Sequence, residues 1–100
     1  MKIEFEWNPA KARSNLAKHG VDFEVARKVF ENPFALIEPD SSASPEERWR
    51  TVGLVNGVLL LLVAHTAHEA GDVVRIISAR RAAPLERAKY ERARRQSSRF

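Results

Sequence analysis

The chain has 100 residues, of which 44% are apolar and 30% are charged, and this composition predicts one globular domain rather than a disordered chain. The absence of cysteine excludes disulfide bonds and thiolate metal sites and fits a reducing cytoplasm. The longest apolar run, Val58 to Ala64, is far shorter than the roughly 20 residues that cross a bilayer, and the alternating N-terminus does not resemble a signal peptide. We therefore expect a soluble, cytoplasmic protein.

The net charge of +4 is unevenly distributed along the chain. Residues 80–100 contain eight of the 17 basic residues but only two of the 13 acidic ones, which gives this segment a net charge of +6 and the remainder −2. A local basic segment is typical of a surface that binds a polyanion such as RNA. A solvated, partly disordered C-terminal helix would have the same composition.

The first third of the chain predicts one strand and two helices. Residues 3–7 alternate apolar and charged side chains, which favours a half-buried strand. Asn8 and the proline after it form a typical helix start, and Gly20 is the matching stop. Asp22 then predicts the start of a second helix that ends at Asn32. Its apolar residues recur every three to four positions and form one face: Phe23, Ala26, Val29 and Phe30.

The rest of the chain predicts strands, turns and a final helix. Residues 34–37 are a short strand candidate, and residues 38–47, which are rich in proline, serine and acids, are the expected mobile loop. Residues 68–72 mark a turn, residues 73–79 the strand that follows it, and Pro84 the start of the last helix.

Asn56-Gly57 is the strongest local signal, because a type I′ turn requires positive φ at both of its central residues. This pair separates strand candidates at residues 48–55 and 58–66. A two-residue turn would set Arg48 opposite His65 on the same face of the sheet.

These elements predict an α+β domain over residues 1–100. We expect a mainly antiparallel sheet of four to five strands, with two N-terminal helices and one C-terminal helix. Residues from about 93 to 100 are expected to form a flexible basic tail.

The sequence contains no glycine-rich phosphate loop, no histidine pair at metal spacing on a helix and no nucleophile elbow. His65 and His68 are three residues apart, but the first is predicted in a strand and the second in a turn, which argues against zinc. No metal or cofactor is therefore expected. What remains is a set of basic residues and one tyrosine: Lys18, His19, Arg48, Arg50, Arg75, Arg80, Arg81, Arg87, Lys89 and Tyr90.

Such a set could cleave RNA without a metal ion. The reaction requires deprotonation of the 2′-hydroxyl, neutralisation of a pentavalent phosphorane and protonation of the leaving 5′-oxygen. Cations with a histidine or tyrosine can do all three, and arginine suits the neutralising role through its bidentate fork. The same residues would also bind RNA without cleaving it.

Each candidate has a structural alternative. Lys18 and His19 lie at a predicted helix C-terminus, where the helix dipole stabilises cations. A strand-edge ion pair would explain Arg75, and amphipathic packing would explain Tyr90.

Several motifs occur in a distinctive order along the chain. They read FEWNPAK at residues 5–11, NLAKHGVDF at residues 15–23, Glu47-Arg48 before the hairpin, and RIISARRA at residues 75–82, followed by Glu86-Arg87 and Tyr90-Glu91. In this order the chain resembles the BrnT family of toxin–antitoxin ribonuclease toxins over residues 3 to about 92.

The resemblance implies a compact RelE-like fold, metal-independent cleavage of RNA and inhibition of translation. It further implies neutralisation by a BrnA-type antitoxin with a ribbon-helix-helix domain, in a complex that represses its own operon. The chain departs from the family in two places. Asn8 replaces the usual aspartate, and residues 82–87 lack the hydroxyl or additional basic residues that are common in relatives.

The resemblance also implies a candidate patch at the matching positions: Lys18, His19, Arg48, Arg75, Arg80, Arg81 and Tyr90. His65 joins His19 and Tyr90 as a candidate for proton transfer, while the arginines would hold phosphate. Two other classes of function remain open from the residues alone. One is a nucleic-acid-binding module without catalysis, and the other is an interaction protein whose basic helix holds an acidic or amphipathic partner.

Overall fold

The computed structural model of the chain describes residues 3–40, 48–67 and 72–97. Five strands and three helices follow one another in this part of the chain: β1 (Glu4–Glu6), α1 (Pro9–His19), α2 (Phe23–Ala26) continued by a 3-10 helix (Arg27–Glu31), β2 (Leu36–Pro39), β3 (Trp49–Val55), β4 (Leu59–Ala67), β5 (Val73–Arg81) and α3 (Pro84–Ser97). Most of the predicted loop at residues 38–47 and of the predicted turn at residues 68–72 lies outside the described residues, as does His68.

The strands form one mixed sheet with the order β1-β5-β4-β3-β2. The three pairings among β2, β3, β4 and β5 are antiparallel, as expected, but β1 runs parallel to β5, with Glu4 opposite Val73. The sheet is therefore mixed, and the parallel pair was not expected. Parallel strands are joined by a long crossover rather than a tight turn, so no local sequence signal marks them.

The predicted helix boundaries follow the local capping signals. The side chain of Asn8 accepts hydrogen bonds from the backbone N–H groups of Ala10 and Lys11, at 2.8 and 3.2 Å. Gly20 ends α1 in the left-handed conformation at φ 69°. Asp22 caps α2 as predicted, but the expected second helix is one α-helical turn followed by the 3-10 helix.

The sheet carries a different hydrophobic cluster on each face. The face covered by α1, α2 and the 3-10 helix, here called the α1 face, holds the larger cluster: Val21, Phe23, Ala26, Val29, Val55, Leu61, Val63, Ile76 and Ala79. On the opposite face, here called the α3 face, Tyr90 packs against Val52, Leu60 and Leu62. Val29 approaches the sheet so closely that a Cβ at Gly53 would lie 2.9 Å from the Val29 Cβ.

The β3–β4 hairpin contains the predicted turn but not the predicted register. Asn56 and Gly57 both have positive φ, 54° and 73°, as a type I′ turn requires. Val55 pairs with Leu59, however, so Val58 is an extra residue and Trp49, rather than Arg48, lies opposite His65. A shift of one residue moves a side chain to the other face of a sheet, so the predicted pairing of Arg48 with His65 is wrong.

The last helix is longer than expected. It begins at Pro84, as predicted, and continues to Ser97, so residues 93–97, which were expected in the tail, are helical.

Candidate functional site

The part of the α3 face that α3 leaves uncovered is lined by charged residues from four strands. Residues paired across strands share a face, and the register places these residues on the same face as Leu62. We call this surface, with the two α3 residues that reach it, the charged face: Glu6, Glu38, Arg50, Arg75, Arg80, Glu86 and Lys89.

Arg80 and Glu86 form the tightest ion pair on the charged face. The two terminal nitrogens of Arg80 donate to the two carboxylate oxygens of Glu86, at 2.8 and 2.7 Å. Glu86 also accepts a hydrogen bond from the backbone N–H of Ala83 at 2.7 Å, which caps the start of α3. The hydrogen bonds from Arg80 lower the pKa of the Glu86 carboxyl, and those to Glu86 raise the pKa of Arg80. Arg80 therefore anchors α3 to β5.

The other arginines of the charged face are also paired with carboxylates. Glu38 lies 3.7 Å from Arg50 and 2.9 Å from Lys89, which links β2, β3 and α3. Arg75 lies 3.8 Å from Glu6 across the parallel pair, and both side chains are about half exposed. The cations of the charged face are therefore partly neutralised, because each of these arginines has a glutamate as its partner.

A second polar surface lies between α1 and β5. It is a shallow groove of about 180 Å³, here called the α1/β5 groove, and its lining residues are Lys11, Ser14, Asn15, Lys18, His19, Ile77 and Ser78. The exposed side chains of Lys18 and His19, both predicted site residues, meet here. They lie beside the same strand that carries Arg75 and Arg80.

Asn15 holds α1 against β5. Its side-chain NH₂ donates to the backbone carbonyls of Ala79 and Val21 at 2.9 and 3.1 Å, and its oxygen accepts from the Ala79 N–H at 3.1 Å. β1 pairs with β5 only as far as Arg75, so the amide takes the place of a neighbouring strand at Ala79. Asn15 was not among the predicted site residues. Its position inside a helix, where asparagine is unfavourable, is a signal that could have revealed it.

His65 and Tyr90 are buried on opposite faces of the sheet. His65 is 4% exposed, and its Nε2 lies 2.8 Å from the hydroxyl of Thr51. Tyr90 is 3% exposed, and its hydroxyl donates to the Asn32 side-chain oxygen at 2.8 Å. Neither side chain is placed to reach RNA on the charged face.

The eight predicted site residues do not form one cluster. Arg75 and Arg80 share the charged face, and Lys18 and His19 share the α1/β5 groove. Arg48 is exposed at the start of β3, and Arg81 is exposed at the end of β5, on the opposite face from Arg80. Within residues 3–40, 48–67 and 72–97, no three histidine, aspartate or glutamate side chains form a group that could hold a metal ion. No helix in these ranges has both the length and the apolar character to span a bilayer.

We expect His65 to make folding stability depend on pH. Burial lowers the pKa of His65 from 6.5, against a smaller opposing effect of the Thr66 backbone, so the unfolded chain binds a proton more readily than the folded one. Stability should therefore be highest above pH 6.5 and fall as the pH decreases through the folded pKa, by up to about 1.4 kcal/mol per pH unit.

Urea unfolding between pH 5 and 8 tests this expectation. The His65→Gln variant, which cannot titrate there, should lose this part of the pH dependence, whereas His19→Gln should retain it. Equal slopes for the wild type and His65→Gln would contradict the expectation.

Comparison with known proteins identifies the family. A search of curated proteins gave no significant match. Among solved structures, the chain is similar to the Brucella abortus ribonuclease toxin BrnT, determined at 1.1 Å resolution, with 28% identity and a TM-score of 0.62. The match covers 83% of this chain and 97% of that one. The model of the family described as "Ribonuclease toxin, BrnT, of type II toxin-antitoxin system" matches residues 7–86. The chain therefore belongs to the BrnT family of ribonuclease toxins of type II toxin–antitoxin systems.

Proposed function

We propose that this chain is a metal-independent endoribonuclease of RelE-like type that inhibits translation in the cytoplasm. The observation that carries the proposal is the position of Lys18 and His19, which lie exposed in the α1/β5 groove beside the strand that carries Arg75 and Arg80. A proton-transferring group and several cations are therefore within reach of one RNA strand. Arg48 and Arg81 extend the basic surface beyond this centre.

In the proposed reaction, His19 removes the proton of a 2′-hydroxyl, and the 2′-oxygen attacks the adjacent phosphorus. The cationic side chains of the groove neutralise the charge that develops on the phosphoryl oxygens, and Arg75 and Arg80 hold the flanking phosphates. The bond between phosphorus and the 5′-oxygen breaks, and the leaving oxygen takes a proton from the Lys18 ammonium group. The products are a 2′,3′-cyclic phosphate and a 5′-hydroxyl. His65 and Tyr90 take no part in this reaction because both are buried.

Cleavage of RNA by the purified chain in the presence of EDTA tests the proposal. We expect fragments with 5′-hydroxyl ends, no cleavage of the matching DNA, and a fall in kcat of about 10²- to 10⁴-fold in His19→Gln. Lys28→Gln, which changes a cation outside the groove and the charged face, is the control. Activity that EDTA abolishes, or His19→Gln activity equal to that of the wild type, would overturn the proposed mechanism.

We further propose that a BrnA-type ribbon-helix-helix antitoxin neutralises the toxin by covering the β3–β4 hairpin and α3. The support is an exposed apolar pair at one end of the sheet. Val58 at the hairpin tip is 83% exposed and Leu85 at the start of α3 is 81% exposed. The backbone N–H of Ala82 donates to the Leu60 carbonyl at 3.0 Å, which places the hairpin and the start of α3 beside each other.

Binding of labelled RNA before and after addition of purified antitoxin tests this surface. RNA should be displaced by the antitoxin, and salt should slow association of the two proteins more than it speeds dissociation, because complementary charge steers the encounter. Val58→Ser with Leu85→Ser should weaken antitoxin binding and leave RNA cleavage unchanged. If RNA stays bound with undiminished affinity in the neutralised complex, occlusion is wrong.

A further inference from the structure

We propose that the α1/β5 groove is the subsite that holds the scissile phosphate of RNA, with Lys11, Ser14 and Ser78 as binding residues beside Lys18 and His19. This inference rests on the proposed ribonuclease function and locates its centre in the groove rather than on the charged face. The lining of this space of about 180 Å³ includes three residues with basic side chains and two with hydroxyl groups. These are the groups that bind a phosphodiester.

Among the described residues, the basic groups in the groove differ from those on the charged face because none of them forms an ion pair with a carboxylate. Arg50, Arg75 and Arg80 each lie within 3.8 Å of a glutamate oxygen. Over the described residues, neither Lys11 nor Lys18 takes part in an ion pair, and the same holds for His19. A phosphate entering the groove would therefore gain full charge pairing, whereas on the charged face it would have to compete with glutamates already in place.

The helix presents the binding residues from one side. Lys11, Ser14 and Lys18 are spaced by three and four residues, so they lie on one stripe of α1, with Asn15 beside them. Arg13 lies on the opposite side of α1 and does not line the groove. The stripe faces β5 because the buried Asn15 amide is bonded to Ala79.

The strand side of the groove has an irregularity in its pairing with β4. Ala64 pairs with Ser78 and His65 pairs with Ile76, so Ile77 is an extra residue in β5. Such a bulge re-aims the side chains next to it. Ile77 and Ser78 are the two residues of β5 that line the groove. The bulge lies beyond Arg75, where the pairing with β1 ends, so α1 rather than a strand borders β5 at this point.

The test measures binding of a fully 2′-O-methylated single-stranded oligoribonucleotide, which cannot be cleaved through its 2′-position, by fluorescence anisotropy at several salt concentrations. The double variant Lys11→Ala with Lys18→Ala is compared with Arg13→Ala with Lys28→Ala. Both variants remove two positive charges, so the comparison separates the groove from the general charge of the protein. Thermal unfolding of each variant confirms that it is folded.

We expect the groove variant to bind about tenfold more weakly and to lose about 0.7 of the slope of log K against log salt, since each phosphate neutralised on a single strand contributes about 0.7 and the two lysines hold one phosphate. The control variant should bind within about twofold of the wild type. Ser78→Ala, which changes no charge, should lower the rate of RNA cleavage while the free energy of unfolding stays near that of the wild type. In a titration with inorganic phosphate followed by NMR, the amide signals of Lys18 and Ser78 should shift, and those of Arg13 and Lys28 should not.

The inference is wrong if both double variants bind the oligonucleotide equally weakly, or if the groove variant cleaves RNA at the wild-type rate. In either case, cleavage by the wild-type chain would still support the ribonuclease function. The reverse outcome is also defined. If only the groove variant binds the oligonucleotide more weakly but the wild-type chain cleaves no RNA, the groove is a phosphate subsite and the proposed ribonuclease function is wrong. If inorganic phosphate binds the groove but the oligonucleotide shows no preference for it, the site is one for small anions and the inference is wrong.

Discussion

Replacement of Asn15 by alanine should lower the free energy of unfolding by about 2–4 kcal/mol, an unusually large effect for a polar residue on a helix. The side chain makes three hydrogen bonds in a buried position, two with Ala79 and one with Val21. Alanine would leave all three backbone groups without partners. Buried polar groups without partners lower the free energy of unfolding. The higher helix propensity of alanine is worth less than about 1 kcal/mol and cannot compensate for that loss.

Urea unfolding of Asn15→Ala measures this loss, and Arg13→Ala, an exposed change on the same helix, is the matched control and should stay within about 0.5 kcal/mol of the wild type. Hydrogen exchange gives a local readout. The Ala79 N–H is donated to the Asn15 side chain, so it should exchange faster in the variant than amides in the middle of β4. A loss below about 1 kcal/mol would show that β5 finds other partners for these groups.

Replacement of Arg80 by alanine should cost about 1–2 kcal/mol of stability, because it removes the cation from a carboxylate that is largely buried. The Glu86 side chain is 13% exposed, whereas that of Arg80 is 39% exposed, so solvent screens part of the attraction between them and limits the loss of stability. Loss of toxicity in this variant would therefore reflect weakened anchoring of α3 as well as any lost phosphate contact.

A double-mutant cycle separates these effects. Glu86→Gln alone should also destabilise the chain, and the double variant should lose less than the sum of the two single changes. Arg81→Ala is the matched control, since the neighbouring Arg81 is exposed, and it should stay near the wild type. Additive losses in the cycle would show that the two side chains are not coupled.

The stability contributed by the Arg80–Glu86 pair should depend on pH with a defined sign. The pKa of Glu86 is lowered in the folded state, chiefly by Arg80. The contribution of the pair is therefore fully present above the unfolded pKa of a glutamate, about 4.3, and is lost as the pH falls through the lower folded value. The difference between the wild type and Arg80→Ala should shrink over that acidic range and be constant near pH 7.

The capping residues show how far local sequence signals reach. Asn8, Gly20 and Asp22 have the predicted roles because each acts on backbone groups within a few residues of itself. The same holds for Asn56 and Gly57, whose positive φ values follow from the turn they form. The start of α3, which has no hydroxyl side chain at residues 82–84, also has a local solution, since the carboxylate of Glu86 accepts a hydrogen bond from the Ala83 N–H.

The candidate site was predicted only in part. Lys18 and His19 are adjacent in sequence and meet in the α1/β5 groove, and Arg75 and Arg80 share the charged face. Alternation along β4 could not show that His65 would be buried against Thr51 and Phe30, because the hairpin signal does not reveal whether an extra residue follows the turn.

The amino-acid sequence by itself determined the number and kinds of most elements, the ends of α1 and the positive charge of the C-terminal segment. These depend on spacing, capping and composition within short stretches of chain. Only the tertiary structure decided the parallel pairing of β1 with β5, the extra turn residue Val58, the bulge at Ile77, and which cations are neutralised by glutamates. Each of these depends on contacts between segments far apart in the chain, where one residue of register decides which face a side chain occupies.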